Sequence, residues 1–377
     1  MVSSSRSLSV ASAGVDKLIV RRRRARTAIV AAVLTLGGPL LPAAGPAPRT
    51  LDTARLDPAF DKLVAEQGLS MAALVIVDDR GEIYRRTTTG LDPDAEIPIA
   101  SASKWLAVAT ILSVVDEGLL ELDAPVAEYV VELDRPDKRT MTLRQCMSCT
   151  AGWSGFLLGE QPGWGSDEFA VAAGAARVRT APGAAFRYGG VTFQIAAIAA
   201  ERVTGKDWHT LFAERIASPL GMTATKFAAM RPFGADPGTT RLPAVAGGAI
   251  STLADYTKFV QMLLGDGDFA GRCVLSPESV ALMLSDQVAA AVDVRMPGDL
   301  GAGLGDVRYG LGTWLLRPEG TWLRACDPGA FGFTPWIDRD LGVGGVLAIR
   351  DRSARVLPRL AAVQAAVREA CGPQTGR

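Results

Sequence analysis

A serine and a lysine stand three residues apart at the head of an apolar segment, IPIASASKWLAVAT, which covers residues 97–110. On a helix, side chains at positions i and i+3 share a face, so Ser101 and Lys104 would be neighbours. A serine hydroxyl becomes a nucleophile when a base removes its proton, and a partly desolvated lysine can be that base. A serine at this position could equally cap the helix. The motif alone leaves both interpretations open.

The segment that carries this pair predicts a buried helix. Residues 101–117 are apolar on nearly every side, and Gly118 follows as a C-terminal stop. The positive end of the helix dipole would then lie beside the Ser101 hydroxyl.

Elsewhere the pattern places strands at both ends of the chain and helices between them. A β-hairpin is predicted at residues 72–88, and the C-terminal segments RYGLGTWLL, TWLRACD and LGVGGVLAIR are typical of strands. Further helices are predicted at 56–67, at 191–203, at 208–216, after Ser251 or Thr252, and at 356–370. This order indicates an α+β arrangement in the broad α/β class: a sheet region at about 50–120 and 245–377 around a helical region at about 121–244.

The histidine content narrows the possible chemistry. A Ser-His-Asp hydrolase needs an imidazole base, and His209 is the single histidine of the 377 residues. It lies in the amphipathic stretch GKDWHTLFAERI, which favours a surface or packing role. No G-x-S-x-G nucleophile motif occurs. A serine hydrolase with this sequence must therefore use a lysine or a tyrosine as its base.

Charge and cysteine content argue against several other classes. No basic run follows residue 50, so no nucleic-acid partner is expected. Cys146 and Cys149 form a C-x-x-C motif, but with one histidine and no second such pair a four-ligand metal site is hard to assemble. Buried thiols are the preferred interpretation, and neither a metal nor an organic cofactor is predicted.

The N-terminal segment has the order of a signal peptide. Residues 1–47 contain six arginines and Lys17 against the lone Asp16, and the arginine cluster precedes TAIVAAVLTLGGPLLPAAGPA. The apolar part is shorter than the roughly 20 residues of a membrane span, which favours a signal over an uncleaved anchor. Residues 1–49 are therefore expected to be a signal peptide or N-terminal anchor of an exported protein, followed by one domain at 50–377.

Five ordered segments resemble the serine hydrolases of the β-lactamase and penicillin-binding-protein superfamily, in its class C and family VIII esterase-like branch. They are the S-x-S-K stretch ending at Lys104, EGLLELDAPVAEYV, TLRQCMSCTAGW, PLGMTATKF and AGGAISTLADYTKFVQMLL. Cys149 stands where relatives often have histidine. The resemblance covers about residues 55–350 and implies a β-lactamase/transpeptidase-like fold with Ser101 as nucleophile and Lys104 as its activating lysine.

The second motif of that family is Y-x-N, and the matching stretch here is FRYGGVTF. Tyr188 matches the tyrosine, and the resemblance assigns it to proton transfer. Its phenolate, favoured by a nearby ammonium, would accept the proton of Ser101 and later protonate the leaving group. Gly190 replaces the asparagine, an amide that relatives use to bind substrate or to orient the lysine. This loss weakens an expectation of lactam or peptide specificity.

The third motif, K-T-G or H-x-G in relatives, corresponds to Asp327-Pro328-Gly329 in CDPGAFGFTPWIDR. The resemblance implies that Gly329 lets a ligand approach the backbone and that the amides of Ala330 and Ser101 form the oxyanion hole. Asp327 stands where β-lactamases place a cation against the carboxylate of the antibiotic, so it would repel such a substrate. Arg324 could neutralise it, and a solvent-facing aspartate is the alternative.

These features lead to three functional hypotheses. The first is a hydrolase of small-molecule esters or amides that works through an acyl-Ser101 intermediate, as Gly190 and Asp327 favour. The second is a β-lactamase or D-alanyl-D-alanine carboxypeptidase, as the family and the export signal favour. The third is a catalytically inactive relative that binds a ligand or partner, since two of the three motifs are altered.

Overall fold

The computed structural model of the protein describes residue 49 and residues 51–92, 94–155, 160–161, 163–230, 234–295, 306–317 and 324–371. The expected signal peptide or anchor lies outside the described residues, apart from Arg49. Within the described ranges, none of the helices combines the length and apolarity that a membrane span requires.

Strands from both ends of the chain form one antiparallel sheet. The strands of the described residues are β1 Ala72–Val77, β2 Glu82–Thr87, β3 Ile97–Pro98, β4 Lys226–Phe227, β5 Ala249–Ser251, β6 Asp268–Phe269, β7 Arg272–Cys273, β8 Asp306–Tyr309, β9 Trp314–Arg317, β10 Arg324–Cys326, β11 Phe333–Asp338 and β12 Val343–Ile349. The large sheet has the order β2-β1-β12-β11-β10-β9-β8, and Ala72 pairs with Ile349 where the two chain ends meet. The prediction of one antiparallel sheet built from both ends of the chain is confirmed.

Helices cover this sheet and fill the middle of the sequence. They are α1 Thr53–Gln67, α2 Ser103–Asp116, α3 Leu143–Met147, α4 Ser166–Ala175, α5 Val191–Thr204, α6 Trp208–Phe212, α7 Ser218–Leu220, α8 Leu253–Leu264, α9 Pro277–Met283 and α10 Ser353–Cys371. The single helix expected at 208–216 is instead α6 followed by a π-helical turn, Ala213–Ala217, that leads into α7. Thr252 is the N-cap of α8, since its side chain accepts a hydrogen bond from the Asp255 amide.

The centre of the molecule is α2, which is buried from Ser103 to Val114. It packs against α5 and α9, while α8 lies on β1 and β12. A Cβ at Gly344 of β12 would come within 2.7 Å of the Val260 Cγ1 atom of α8. A bare backbone at that point lets helix and strand approach closely. The turn Ala100–Ala102 that precedes α2 contacts β11 and β5, so the head of α2 lies beside the strands.

Candidate active site

Ser101 does not lie in α2 itself but in a 3-10 turn, Ala100–Ala102, that precedes it. We call this turn the nucleophile turn. Ala100 has a φ of 47°, a conformation that costs a non-glycine residue free energy and is kept only where neighbours enforce it. The buried Ser103 hydroxyl donates to the Ala100 carbonyl at 2.6 Å and accepts from the Ala249 amide at 2.9 Å. These two hydrogen bonds tie the nucleophile turn to β5.

Lys104 is completely buried and points at the nucleophile. Its ammonium donates to the Ser101 hydroxyl at 3.2 Å and to the Ala246 carbonyl at 2.8 Å. Burial lowers the pKa of Lys104 to about 8, although the nearby Asp327 and Cys149 oppose this shift. A lysine with this pKa can hold or release a proton near neutral pH.

Tyr188 completes the group around the nucleophile. Its hydroxyl is hydrogen-bonded to Ser101, and the Lys104 ammonium lies 4.7 Å from the centre of its ring. The ring packs against Trp314 at a centroid distance of 5.1 Å. Burial, and then the charge of Asp327, raise the pKa of Tyr188 well above its usual value. The neutral phenol is therefore the resting form, and the phenolate expected from a nearby ammonium is disfavoured.

Asp327 follows β10 and is completely buried, so the alternative of a solvent-facing aspartate is wrong. No side chain of the described residues hydrogen-bonds to its carboxylate, which lies within reach of the Trp105 amide. Burial raises its pKa well above the usual range, and the Lys104 charge and the Trp105 amide act in the opposite direction. The expected pairing with Arg324 falls on a side chain outside the description. Asp327 thus faces the catalytic candidates from inside the protein.

Gly329 and Ala330 form the loop between β10 and β11. A Cβ on Gly329 would lie 2.0 Å from the Ile99 carbonyl, so the close approach made here is to the chain just before the nucleophile turn. This contact brings the next residue, the exposed Ala330, to the neighbourhood of Ser101. The amides of Ala330 and Ser101 remain the candidate oxyanion hole.

Gly190 is buried at the start of α5, where its amide donates to the Gly155 carbonyl at 2.9 Å. It lines a cavity of about 360 Å³ together with Gln194 and Ala246. Because the Ala246 carbonyl also accepts from Lys104, this cavity adjoins the lysine. The structure therefore brings the predicted site residues of all three motifs to one region.

Three supporting groups were not predicted from the sequence. Ser103 is buried and positions the nucleophile turn. Its place inside the S-x-S-K stretch is the sequence signal that could have indicated this role. Tyr256 of α8 donates its hydroxyl to the Ala102 carbonyl at 2.7 Å, yet in sequence it is one apolar position of a helical stripe. The Ala246 carbonyl is a backbone group, for which no side-chain pattern exists.

The fold and this arrangement are those of the serine hydrolases related to β-lactamases. The chain belongs to the Beta-lactamase family, whose family model matches residues 56–367.

Individual relatives come from several classes of hydrolase. The D-alanyl-D-alanine-carboxypeptidase/endopeptidase AmpH of Escherichia coli K12 is 26% identical over 295 residues, which cover 70% of this chain and 74% of AmpH. Esterase EstB of Burkholderia gladioli is 29% identical over 209 residues, or 48% of this chain and 52% of EstB. The crystal structure of a putative beta-lactamase from Bacteroides dorei DSM 17855 superposes with a TM-score of 0.73 at 29% identity, covering 86% of this chain and all of that one.

Proposed function

We propose that the protein hydrolyses small-molecule esters through a covalent acyl-Ser101 intermediate. The observation that carries the proposal is the hydrogen bond at 3.2 Å between the Ser101 hydroxyl and a buried lysine. A lysine whose pKa is about 8 is unprotonated in roughly one tenth of molecules at pH 7, which is enough to supply a base.

The proposed reaction has two halves. In acylation the neutral Lys104 amine takes the Ser101 proton, and the Ser101 oxygen attacks the acyl carbonyl. The amides of Ser101 and Ala330 stabilise the oxyanion. When the C–O bond to the leaving group breaks, the Tyr188 phenol gives it a proton and is reprotonated by the Lys104 ammonium. In deacylation water attacks the acyl carbon, the same groups move the proton in reverse, and the acid leaves.

Esters are favoured over lactams by what the site lacks. Gly190 offers no side-chain amide to an amide substrate. Asp327 supplies no cation for a substrate carboxylate, and its burial removes it from direct contact with one. Esterase EstB, one of the relatives, is consistent with this preference.

A β-lactamase or D-alanyl-D-alanine carboxypeptidase is the second candidate. AmpH, a carboxypeptidase/endopeptidase, matches a larger share of this chain than EstB does. A catalytically inactive relative is the third, because Gly190 and Asp327 replace two family residues.

Steady-state turnover distinguishes these candidates. We expect hydrolysis of a 4-nitrophenyl ester by the wild type and loss of it in Ser101→Ala. Near-normal rates are expected in Ser113→Ala, a serine of α2 that lies away from the nucleophile turn. Faster opening of a chromogenic cephalosporin, or release of D-alanine from a D-Ala-D-Ala peptide, would replace the ester assignment. No turnover of any of them would support the inactive relative.

We further propose that the domain at residues 50–377 acts after export, with residues 1–49 as a signal peptide or membrane anchor. The support is the order of the segment, which is basic, then apolar, then rich in small residues. Expression of the full chain followed by fractionation and N-terminal sequencing tests this: a shortened N-terminus indicates a cleaved signal, and an intact chain in the membrane fraction indicates an anchor.

A further inference from the structure

Asp327 is enclosed by protein, and no side chain of the described residues hydrogen-bonds to its carboxylate. Burying a carboxyl group in this way is costly unless it is paired or serves a purpose. It follows the last residue of β10, and its own amide donates to the Pro335 carbonyl of β11 at 3.3 Å. Both its neighbours in sequence are buried as well.

The residue before Asp327, Cys326, pairs with Trp314 of β9. The Trp314 ring packs on Tyr188 at a centroid distance of 5.1 Å, and the Lys104 ammonium lies 4.7 Å from the centre of the Tyr188 ring. The titratable side chains that interact electrostatically with Asp327 come from five parts of the fold: Lys104 of α2, Cys149 after α3, Tyr188 before α5, Tyr256 of α8 and Tyr309 of β8. Lys104 is the one cation in this set. A charge on Asp327 therefore acts on the two groups that move the Ser101 proton.

We propose that Asp327, a carboxylate while Lys104 is protonated, is a positioning residue that sets the pH at which Ser101 becomes nucleophilic, through the effect of its negative charge on Lys104 and Tyr188. The proposal rests on the proposed acyl-Ser101 function and deepens it. A negative charge favours the protonated lysine and disfavours the phenolate. Removing it makes either base available at lower pH, so the direction of the effect does not depend on which of the two takes the proton.

The experiment measures how fast Ser101 reacts with a fluorophosphonate, followed by intact mass between about pH 5 and pH 10. Asp327→Asn keeps the shape of the side chain and removes the charge. We expect its acid limb to lie about one pH unit or more below that of the wild type, the size of effect that one nearby charge has in a protein interior. At one pH unit below the wild-type midpoint, such a shift makes labelling about fivefold faster relative to the plateau.

The matched control is Asp338→Asn, a buried carboxyl of the same sheet whose partner is Arg368, and its acid limb should stay at the wild-type position. If Asp327→Asn does not fold by circular dichroism, Asp327→Ser provides a second charge-free variant. An acid limb that is unchanged or moves to higher pH in the folded variant overturns the proposal. Wild-type protein that is never labelled at Ser101 contradicts the proposed function itself, which is a different result.

Discussion

Replacing Ser103 with alanine is expected to loosen the turn that presents the nucleophile. The Ser103 hydroxyl makes two buried hydrogen bonds, to the Ala100 carbonyl and from the Ala249 amide. In the variant the Ala100 carbonyl still accepts from the Ser103 amide, so on this side only one ordinary hydrogen bond is lost. The Ala249 amide loses its acceptor in a buried position, which is the more costly change. We expect the two changes together to lower the free energy of unfolding by about 2–4 kcal/mol.

Ser113→Ala is the matched control, because it makes the same substitution in the same helix. The Ser113 hydroxyl donates to the Thr110 carbonyl, at 2.7 Å and within its own helix. Such a bond adds little to a helix, and alanine is the better helix former, so a change within about 1 kcal/mol is expected.

Urea unfolding of both variants measures the difference, provided that the slope of the transition is the same in each. Ser103→Ala should also lower the rate of Ser101 labelling, because Ala100 can then leave its positive φ and move the nucleophile. Equal stability of the two variants, together with equal labelling rates, would refute the idea that Ser103 holds the nucleophile turn.

Three further predictions concern the same region. The rate of acylation should rise with pH through about pH 8 and fall below it, because Lys104 must lose its proton to act as a base, and a pH profile without an acid limb near this value would exclude that role. Gly329→Ala should destabilise the fold by more than about 2 kcal/mol, since the new Cβ would lie 2.0 Å from the Ile99 carbonyl. The control Gly81→Ala, whose new Cβ would have its nearest neighbouring atom at 3.9 Å, should unfold at nearly the wild-type urea concentration. Tyr188→Phe should lower kcat/KM for a 4-nitrophenyl ester by about 10²-fold or more and keep the fold, and a variant as active as the wild type would remove the tyrosine from proton transfer.

The regular elements could be predicted from periodicity, and the exceptions have local causes. Strand β1 and the helix α5 match their predicted ranges closely because their apolar patterns are continuous. Strand β11 was not predicted as a separate strand, since Pro335 lies in its middle and proline lacks the amide that a central strand normally uses. Pro335 still pairs with Val346 of β12, and its carbonyl accepts a hydrogen bond from the Asp327 amide, so β11 remains in the sheet.

The candidate site was predictable in its residues but not in its electrostatics. The S-x-S-K stretch and the matching segments identify Ser101, Lys104 and Tyr188, and the structure brings these side chains together. The sequence pattern does not reveal that Asp327 is buried beside the lysine, because burial of a polar residue in a loop depends on contacts far away in the chain. The supporting bond to the Ala246 carbonyl is likewise a product of folding.

The covalent intermediate on Ser101 is the centre of the proposed function, and trapping it tests that proposal most directly. The protein is mixed with an ester whose acyl group is bulky enough to leave slowly, quenched in acid, and analysed by intact mass and peptide mapping. We predict one added acyl group on the peptide that contains Ser101, present in wild type and in Ser113→Ala and absent in Ser101→Ala. Hydrolysis of the ester with no adduct, or with an adduct on another residue, would contradict it.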